Sequence, residues 1–459
     1  MLGKLLLPEI RELIAEGDQA TLIDILDHWL PVDVVELIND LPEEEQAAAL
    51  RMLRGPQRVQ VFEYLDRPTQ KRLLALLPAE DVGHILNEMA PDDRTTLLVE
   101  LPDEEINRLL DLLSSDQLLV ARALLKYPER SIGRLMTPDF IAVRQHWTIQ
   151  HVLDYVRAHG KDSETLNVVY VVDADHRLID DLRIRQLLLA PVRQTIRDLM
   201  DEQFVALRVT DDKSQAVEAF RRYDRTALPV VDDEGILRGI VTIDDVLDLA
   251  QEKATEDLQR FGGMEALDAP YSETPLLHMV RKRASWLVIL FLGEMLTATA
   301  MGFFEREIEK AVVLALFVPL IISSGGNSGS QAATLIVRAL AVGDVRLRDW
   351  WHVMRRELIS GALLGCILGT IGFLRIAAWS AFSTIYGPHW ALVGLTVGLS
   401  LVGIVLWGAL AGAMLPFVLK RLHLDPATSS APFVATLVDV TGLVIYFSVA
   451  MTVLRGSLL

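Results

Sequence analysis

Cysteine is almost missing: a single residue, Cys366, stands in 459, and it lies inside an apolar run. A lone thiol excludes disulfides within the chain and thiolate-bound metal, so any divalent-cation chemistry has to use oxygen ligands. Catalytic signatures are missing too. There is no HExxH, no GxSxG and no phosphate loop ending in GKS or GKT, and the chain is expected not to be an enzyme. Positive charge is scarce in the first part, where residues 1–275 carry 30 Lys and Arg against 53 Asp and Glu, a balance of −23. Residues 276–459 carry 14 against 9. So acidic a first part argues against nucleic acid and for cations as partners. The opening MLGKLLLPEIRELIAEGD lacks the apolar core and small-residue cleavage site of a secretory signal and reads as an acidic amphipathic helix.

What the chain has in quantity is apolar length. With 51% hydrophobic residues and a mean hydropathy of +0.30, it is too apolar for a wholly soluble protein. Five apolar segments, at roughly 284–304, 311–340, 358–382, 390–418 and 432–454, suit the lipid bilayer. The last carries one charge, Asp439, near its middle. An ionised Asp at a span centre costs roughly 2.5–3.5 kcal/mol, so it marks an ion pathway rather than a lipid contact. Ala435, Thr436 and Gly442 lie three or four residues away and place small side chains on the same face, where another helix or a symmetry mate can approach. In the second segment, Pro319 and SSGGNSGS at 323–330 are expected to interrupt the span with flexible polar backbone. Such backbone lines cavities, so Pro319, Gly325, Gly326 and Asn327 are candidates for a pore entrance. Glu294 in the first segment is a second intramembrane acid, outside this primary site.

The loops set the orientation. Arg281, Lys282 and Arg283 precede the first segment, Arg346, Arg348, Arg355 and Arg356 follow the second, and Lys420 and Arg421 follow the fourth. The alternate loops are EREIEK and the uncharged YGPHW, so the acidic part and the N-terminus are expected in the cytoplasm and the C-terminus outside. An anion pathway would need basic residues in the spans, and Arg338 and Arg375 sit near segment ends, where they can snorkel.

Residues 1–130 carry prolines at 31, 42, 56, 68, 78, 91 and 102, each opening a short helical stretch and several followed by acids. Pro and acids both suit a first helical turn. Short helices that cannot bury their own apolar stripe stack into a superhelix. From 131 to 250 the pattern changes to short β-branched runs between helices, and it repeats. IGRLMTP at 132 returns as IRDLMDE at 196, an offset of 64, whereas VVD at 171 returns at 230, an offset of 59. This repeat resembles a tandem CBS pair, a fold whose cleft commonly takes adenine nucleotides, so ATP is the ligand implied there. Asp244–Arg260 then reads as one helix, ended by FGG, with acids at spacings of three and four that a bound cation would relieve.

The segments GGNSGSQAATLIVRALAVGD, MLPFVLKRL and DPATSSAPFVATLVDVTGLVIYFSVA resemble the MgtE family of magnesium channels, and the preceding parts stand in that family's order. The resemblance implies a multidomain fold: an N-terminal α-helical superhelix (1–130), an α/β tandem CBS pair (131–250), a long connecting helix (244–275) and an all-α five-helix transmembrane domain (276–459). It implies Mg2+ uptake through a homodimer in a bacterial inner membrane, with hydrated Mg2+ at Asp439 beside Ala435 and Gly442. It also implies connecting helices that plug the pore when cytosolic Mg2+ is high. The family's regulatory acids fall on Asp212, Asp224, Asp245, Asp248, Glu256 and Asp257. Ser214 and Lys253 stand where its pattern has Glu, and Ala431 where it has Asn, which bears on regulation and on gate closure. Glu88, Asp92 and Asp93 are the candidates in the N-terminal part. The alternatives are a CBS-regulated transporter of Mn2+ or Co2+, or an anion carrier.

Overall fold

A computed structural model describes residues 2–268, 271–272 and 274–458; residues 269, 270 and 273 of the expected connecting stretch lie outside the described residues. The chain forms two compact units, Met1–Ala250 and Gln251–Leu459.

The first unit begins with α1 (Leu2–Glu16), α2 (Gln19–Leu26), α3 (Pro31–Asp40), α4 (Glu43–Met52), α5 (Gly55–Tyr64), α6 (Arg67–Leu76), α7 (Ala79–Glu88), α8 (Pro91–Val99), α9 (Asp103–Leu110) and α10 (Ser115–Leu125). Pro31, Pro56, Pro68 and Pro91 occupy first turns, where a missing N–H costs nothing, and Pro42, Pro78 and Pro102 sit at N-caps. Leu41 and Leu77, each preceding a proline, leave their helices in the extended conformation that a following Pro favours. Both are buried, so one constraint ends the helix and anchors the turn. The helices pack on the next but one, α1 on α3, α3 on α5, α5 on α7 and α8 on α10. One apolar core runs from Ile10 to Ala121, as a superhelix requires.

Two three-stranded sheets follow, β1 (Ala142–Arg144), β2 (Val168–Val172) and β3 (Leu178–Arg183), then β4 (Leu207–Arg208), β5 (Ala227–Val231) and β6 (Leu237–Thr242). In each the first strand is parallel and the last antiparallel to the middle one. Strand β2 is buried along its whole length, because alternate residues serve two cores. Val169 and Val171 face the first repeat's helices, while Val168, Tyr170 and Val172 pack with Ala227, Leu237 and Ile240 of the second. Helices α11 (Ile149–His159) and α13 (Lys213–Tyr223) are related by 64 residues, but β2 and β5 by 59. The first repeat therefore holds five extra residues between helix and strand. A short α12 (Ile184–Leu189) closes that repeat, and α14 (Ile243–Phe261) is the unbroken connecting helix, ended near Gly263 at φ 74°.

The second unit holds α15 (Leu276–Phe303), a short α16 (Glu305–Lys310), α17 (Val318–Val342), α18 (Trp350–Ser380), α19 (Trp390–Arg421) and α20 (Ala431–Val453). Five helical stretches among the described residues are long and apolar enough to cross a membrane, the second joining a 3-10 turn to α17. The flexible interruption expected at 323–330 is not there: the change of geometry comes earlier, in a 3-10 turn over Val312–Phe317, and α17 runs regularly through SSGGNSGS. The reason is packing. A Cβ at Gly412 of α19 would clash with the carbonyl oxygen of Gly329, so the small residues bring two helix backbones together instead of unwinding one. Ser328 Oγ donates to Val405 O at 3.1 Å across the same seam. Gly412→Val is accordingly expected to destabilise the membrane unit by more than the roughly 1–3 kcal/mol of ordinary overpacking. Thermal inactivation of the detergent-purified protein checks this.

Candidate ion-binding site

Asp439 lies half-buried in the middle of α20. Its wall is backbone. A Cβ at Gly326 of α17 would stand 3.4 Å from Asp439 Oδ1 and 3.3 Å from Ala435 Cβ, so the glycine backbone approaches the carboxylate and α20 closely, with little room for a side chain between them. Gly442 is buried, and a Cβ there would be 3.4 Å from Ile404 Cγ2. Pro319 and Asn327 are exposed, with Asn327 Nδ2 donating to Ser323 Oγ at 3.4 Å, whereas Gly325 and Gly326 are buried. At the entrance to α20, Ser330 Oγ donates to the carbonyl of Ala431 at 3.2 Å. The Asp439 carboxylate is a hard oxygen donor, suited to Mg2+ and its water shell.

The acids expected to regulate do not form one group. Asp212 caps α13, accepting from the Ser214 N–H at 3.0 Å and Ser214 Oγ at 2.6 Å, and lies 3.6 Å from Arg130. Asp224 ends the same helix in the left-handed conformation, φ 49°. Glu256 and Asp257 lie near the end of α14. There Arg260 donates to Asp425 Oδ2 at 2.6 Å and pairs with Glu256. Burial, with Asp425 next in effect, raises the Asp257 carboxyl, and Lys253 opposes this. Arg260 thus acts as a tethered counter-ion between α14 and the turn that leads into α20.

Asp245 falls into a different and denser group. Burial raises its carboxyl to about 7, against a 2.8 Å hydrogen bond from Thr242 Oγ1, and the charges of Asp244, Asp93 and Glu164 push the same way. Asp92, only 5% exposed, is raised well above the usual carboxylate range by burial and then by Asp245, Asp93 and Glu164. Glu63 is raised to about 7 by burial despite a 3.0 Å hydrogen bond from the Ala90 N–H. Asp93, Glu164 and Asp139 are raised as well, burial first in each case. Asp248 adds repulsion at Asp93. Positive charge is thin here: Arg94 is fully buried and bonded to Leu86 O and Gln117, and Arg67 stands 3.7 Å from Asp93. Seven or more carboxylates in such a place favour a cation, yet among the described residues no three His, Cys, Asp or Glu are set to hold a metal as they stand. Like charges separate until something screens them.

Sequence reasoning named Asp92, Asp93, Asp245 and Asp248 of this group and missed Glu63, Asp139 and Glu164. Glu88 is exposed on α7 and is not among the charges acting on Asp92 or Asp245. A signal for Glu164 was present. It lies in the five-residue excess between α11 and β2 that shortens the repeat offset from 64 to 59.

Comparison with known proteins agrees with this layout. The divalent cation transporter profile, MgtE, matches residues 318–449, the MgtE intracellular N domain matches 29–130, and the CBS domain matches 132–192 and 196–252. The magnesium transporter MgtE of Thermus thermophilus is 39% identical over 97% of this chain and 98% of its own. That of Bacillus subtilis is 26% identical over 95% of each. A crystal structure of the cytosolic domain of the Mg2+ channel MgtE in complex with ATP, 34% identical, covers 53% of this chain and all of that one at a TM-score of 0.51.

Proposed function

The chain belongs to the MgtE family of divalent cation transporters, and from that premise we propose that it takes up Mg2+ through a homodimeric pore in a bacterial inner membrane. The observation that carries this reading is the Asp439 carboxylate in mid-span, packed against the backbone at Gly326. Mg2+ gives up its water shell reluctantly, so a site with one carboxylate per protomer and surrounding oxygens holds the hydrated ion rather than stripping it. Dimer symmetry doubles the Asp439 charge. Mg2+ influx into proteoliposomes, with Asp439 intact and replaced, tests the assignment.

In this reading residues 1–275 lie in the cytosol and the C-terminus outside, which the basic loops before α15, after α17 and after α19 support. In this reading residues 1–130 and 131–250 form the sensor, 244–275 the coupling element and 276–459 the pore. Cytosolic Mg2+ binds among Asp92, Asp93, Asp245 and Asp248, relieves their repulsion and closes the pathway; Asp212, Asp224, Glu256 and Asp257 contribute weaker sites. Shifting a gate from mostly open to mostly shut takes roughly 5.5 kcal/mol of differential binding, which several modest sites supply jointly. The cleft between the CBS repeats takes adenine nucleotide, a reading supported by the relative's ATP complex.

Lys253 modifies this sensor. Its attraction for Asp257 offsets part of what a bound cation would provide. Lys253→Glu removes that offset and adds a ligand, so the Mg2+ concentration that half-inhibits flux is expected to fall. A surface pair is worth about 0–1 kcal/mol, so the shift is several-fold. Flux against cytosolic Mg2+ reads it, and an unchanged or right-shifted curve removes this position from the sensor.

A further inference from the structure

Helix α15 runs alongside α20 in a constant register. A Cβ at Gly293 would lie 2.9 Å from Thr436 Cγ2, and the Phe304 and Phe447 rings stack at 4.9 Å, an offset of 143 residues at both points. Toward the cytosolic end, Trp286 Nε1 donates to Ser430 Oγ at 3.2 Å, an offset of 144. The same register puts Glu294 level with Leu437, two residues from Asp439, or about 3 Å along the helix axis. These are the only two acids in the apolar middles of the two helices.

Glu294 cannot be explained as a lipid-facing residue. It is exposed on the protomer, and an ionised side chain at that depth costs roughly 2.5 kcal/mol or more against hydrocarbon. Among the described residues it forms no ion pair with Lys, Arg or His. It also stands about 100° around α15 from Gly293, outside the line of closest approach to α20. A carboxylate exposed at this depth without a cationic partner calls for water, an ion or a partner subunit beside it.

We propose that Glu294 is a second ion-contacting carboxylate of the Mg2+ pathway, at the depth of Asp439, so that a homodimer presents four carboxylates to the hydrated ion. This rests on the reading of Asp439 as the pore residue. A doubled negative field at one depth raises attraction for a divalent ion twice as steeply as for a monovalent one. Glu294 therefore sets affinity and the preference for Mg2+ over K+, while Asp439 is indispensable.

The test compares the parent, Glu294→Gln, Glu294→Asp and Asp439→Asn as full-length proteins in proteoliposomes. Mg2+ influx is measured against external Mg2+, with and without competing K+ and the water-shell mimic hexaamminecobalt(III). Glu294→Gln is expected to raise half-saturating Mg2+ about tenfold, equivalent to about 1.4 kcal/mol. It should also weaken hexaamminecobalt block and sharpen K+ competition, while Glu294→Asp stays near the parent. Parent-like curves for Glu294→Gln, alongside inactive Asp439→Asn, overturn the proposal and leave the Asp439 site standing. Full flux in Asp439→Asn overturns both. Loss of the dimer on size-exclusion chromatography in Glu294→Gln alone shows that Glu294 pairs across subunits, and also overturns it.

Discussion

Asp439→Asn is expected to reduce Mg2+ influx by at least about a hundredfold, while the protein still purifies as the same oligomer. Asn preserves the shape that fits against Gly326 and Ala435, so the change is electrical. At an effective dielectric constant near 20, a unit charge about 4 Å from another interacts by about 4 kcal/mol, and the substitution removes one such charge from each protomer facing a doubly charged ion. Even a fraction of that amounts to two decades in occupancy. Replacing a half-buried acid by its amide also relieves part of a desolvation cost, so the variant is expected to melt no lower than the parent. Flux close to the parent's in Asp439→Asn, with matching size-exclusion profiles, would remove Asp439 from the pathway.

The parts of this fold that were legible in sequence are those set by local rules. Proline in a first turn or at an N-cap, a leucine held extended by a following proline, and apolar length act within a few residues, and the seven proline-led helices and the five spans follow from them, as the CBS repeats follow from the repeated sequence. The stretch that misled was SSGGNSGS. Its glycines and serines are poor helix formers in isolation, but in the membrane unit they are the residues small enough for α19 and α20 to close on α17. Tertiary contact decided there, and it was not local. The same holds for the acids. Nothing near Glu63 in the chain connects it with Asp93 and Glu164, 30 and 101 residues on; the superhelix and the extra residues before β2 bring them together. Asp439 was readable because a charge in a span is anomalous wherever its neighbours lie.

The acids in the first unit also predict how stability depends on pH. Burial holds Asp245 and Glu63 near 7 and raises Asp92 well above the usual carboxylate range, while the same carboxyls in an unfolded chain titrate near 4. Folded-state values above the unfolded ones mean that the native state keeps protons the unfolded chain releases. The stability they contribute is therefore fully present below about pH 4 and lost as pH rises toward 7. Holding one carboxyl near 7 instead of 4 corresponds to about 4 kcal/mol at the limit, and because these groups repel one another their effects overlap instead of adding. Without divalent cations, the unfolding midpoint of this unit in the full-length protein should drop by on the order of 10 °C between pH 5 and pH 8. Millimolar Mg2+ supplies the charge that the departing protons took away, so it should restore most of the loss and protect the unit from limited proteolysis. Mg2+ binding should in turn release protons and weaken as pH falls below about 7, where protons compete for Asp245 and Glu63. Asp92→Asn with Asp245→Asn removes the central repulsion: the double variant should be more stable than the parent in Mg2+-free buffer at pH 8, less dependent on pH, and less sensitive to Mg2+ in proteolysis, with Glu63 keeping the remaining pH dependence. Thermal unfolding and digestion across this pH range, with and without Mg2+, check each expectation. A parent whose midpoint rises with pH in the absence of Mg2+ would show that these carboxyls are already ionised in the folded protein.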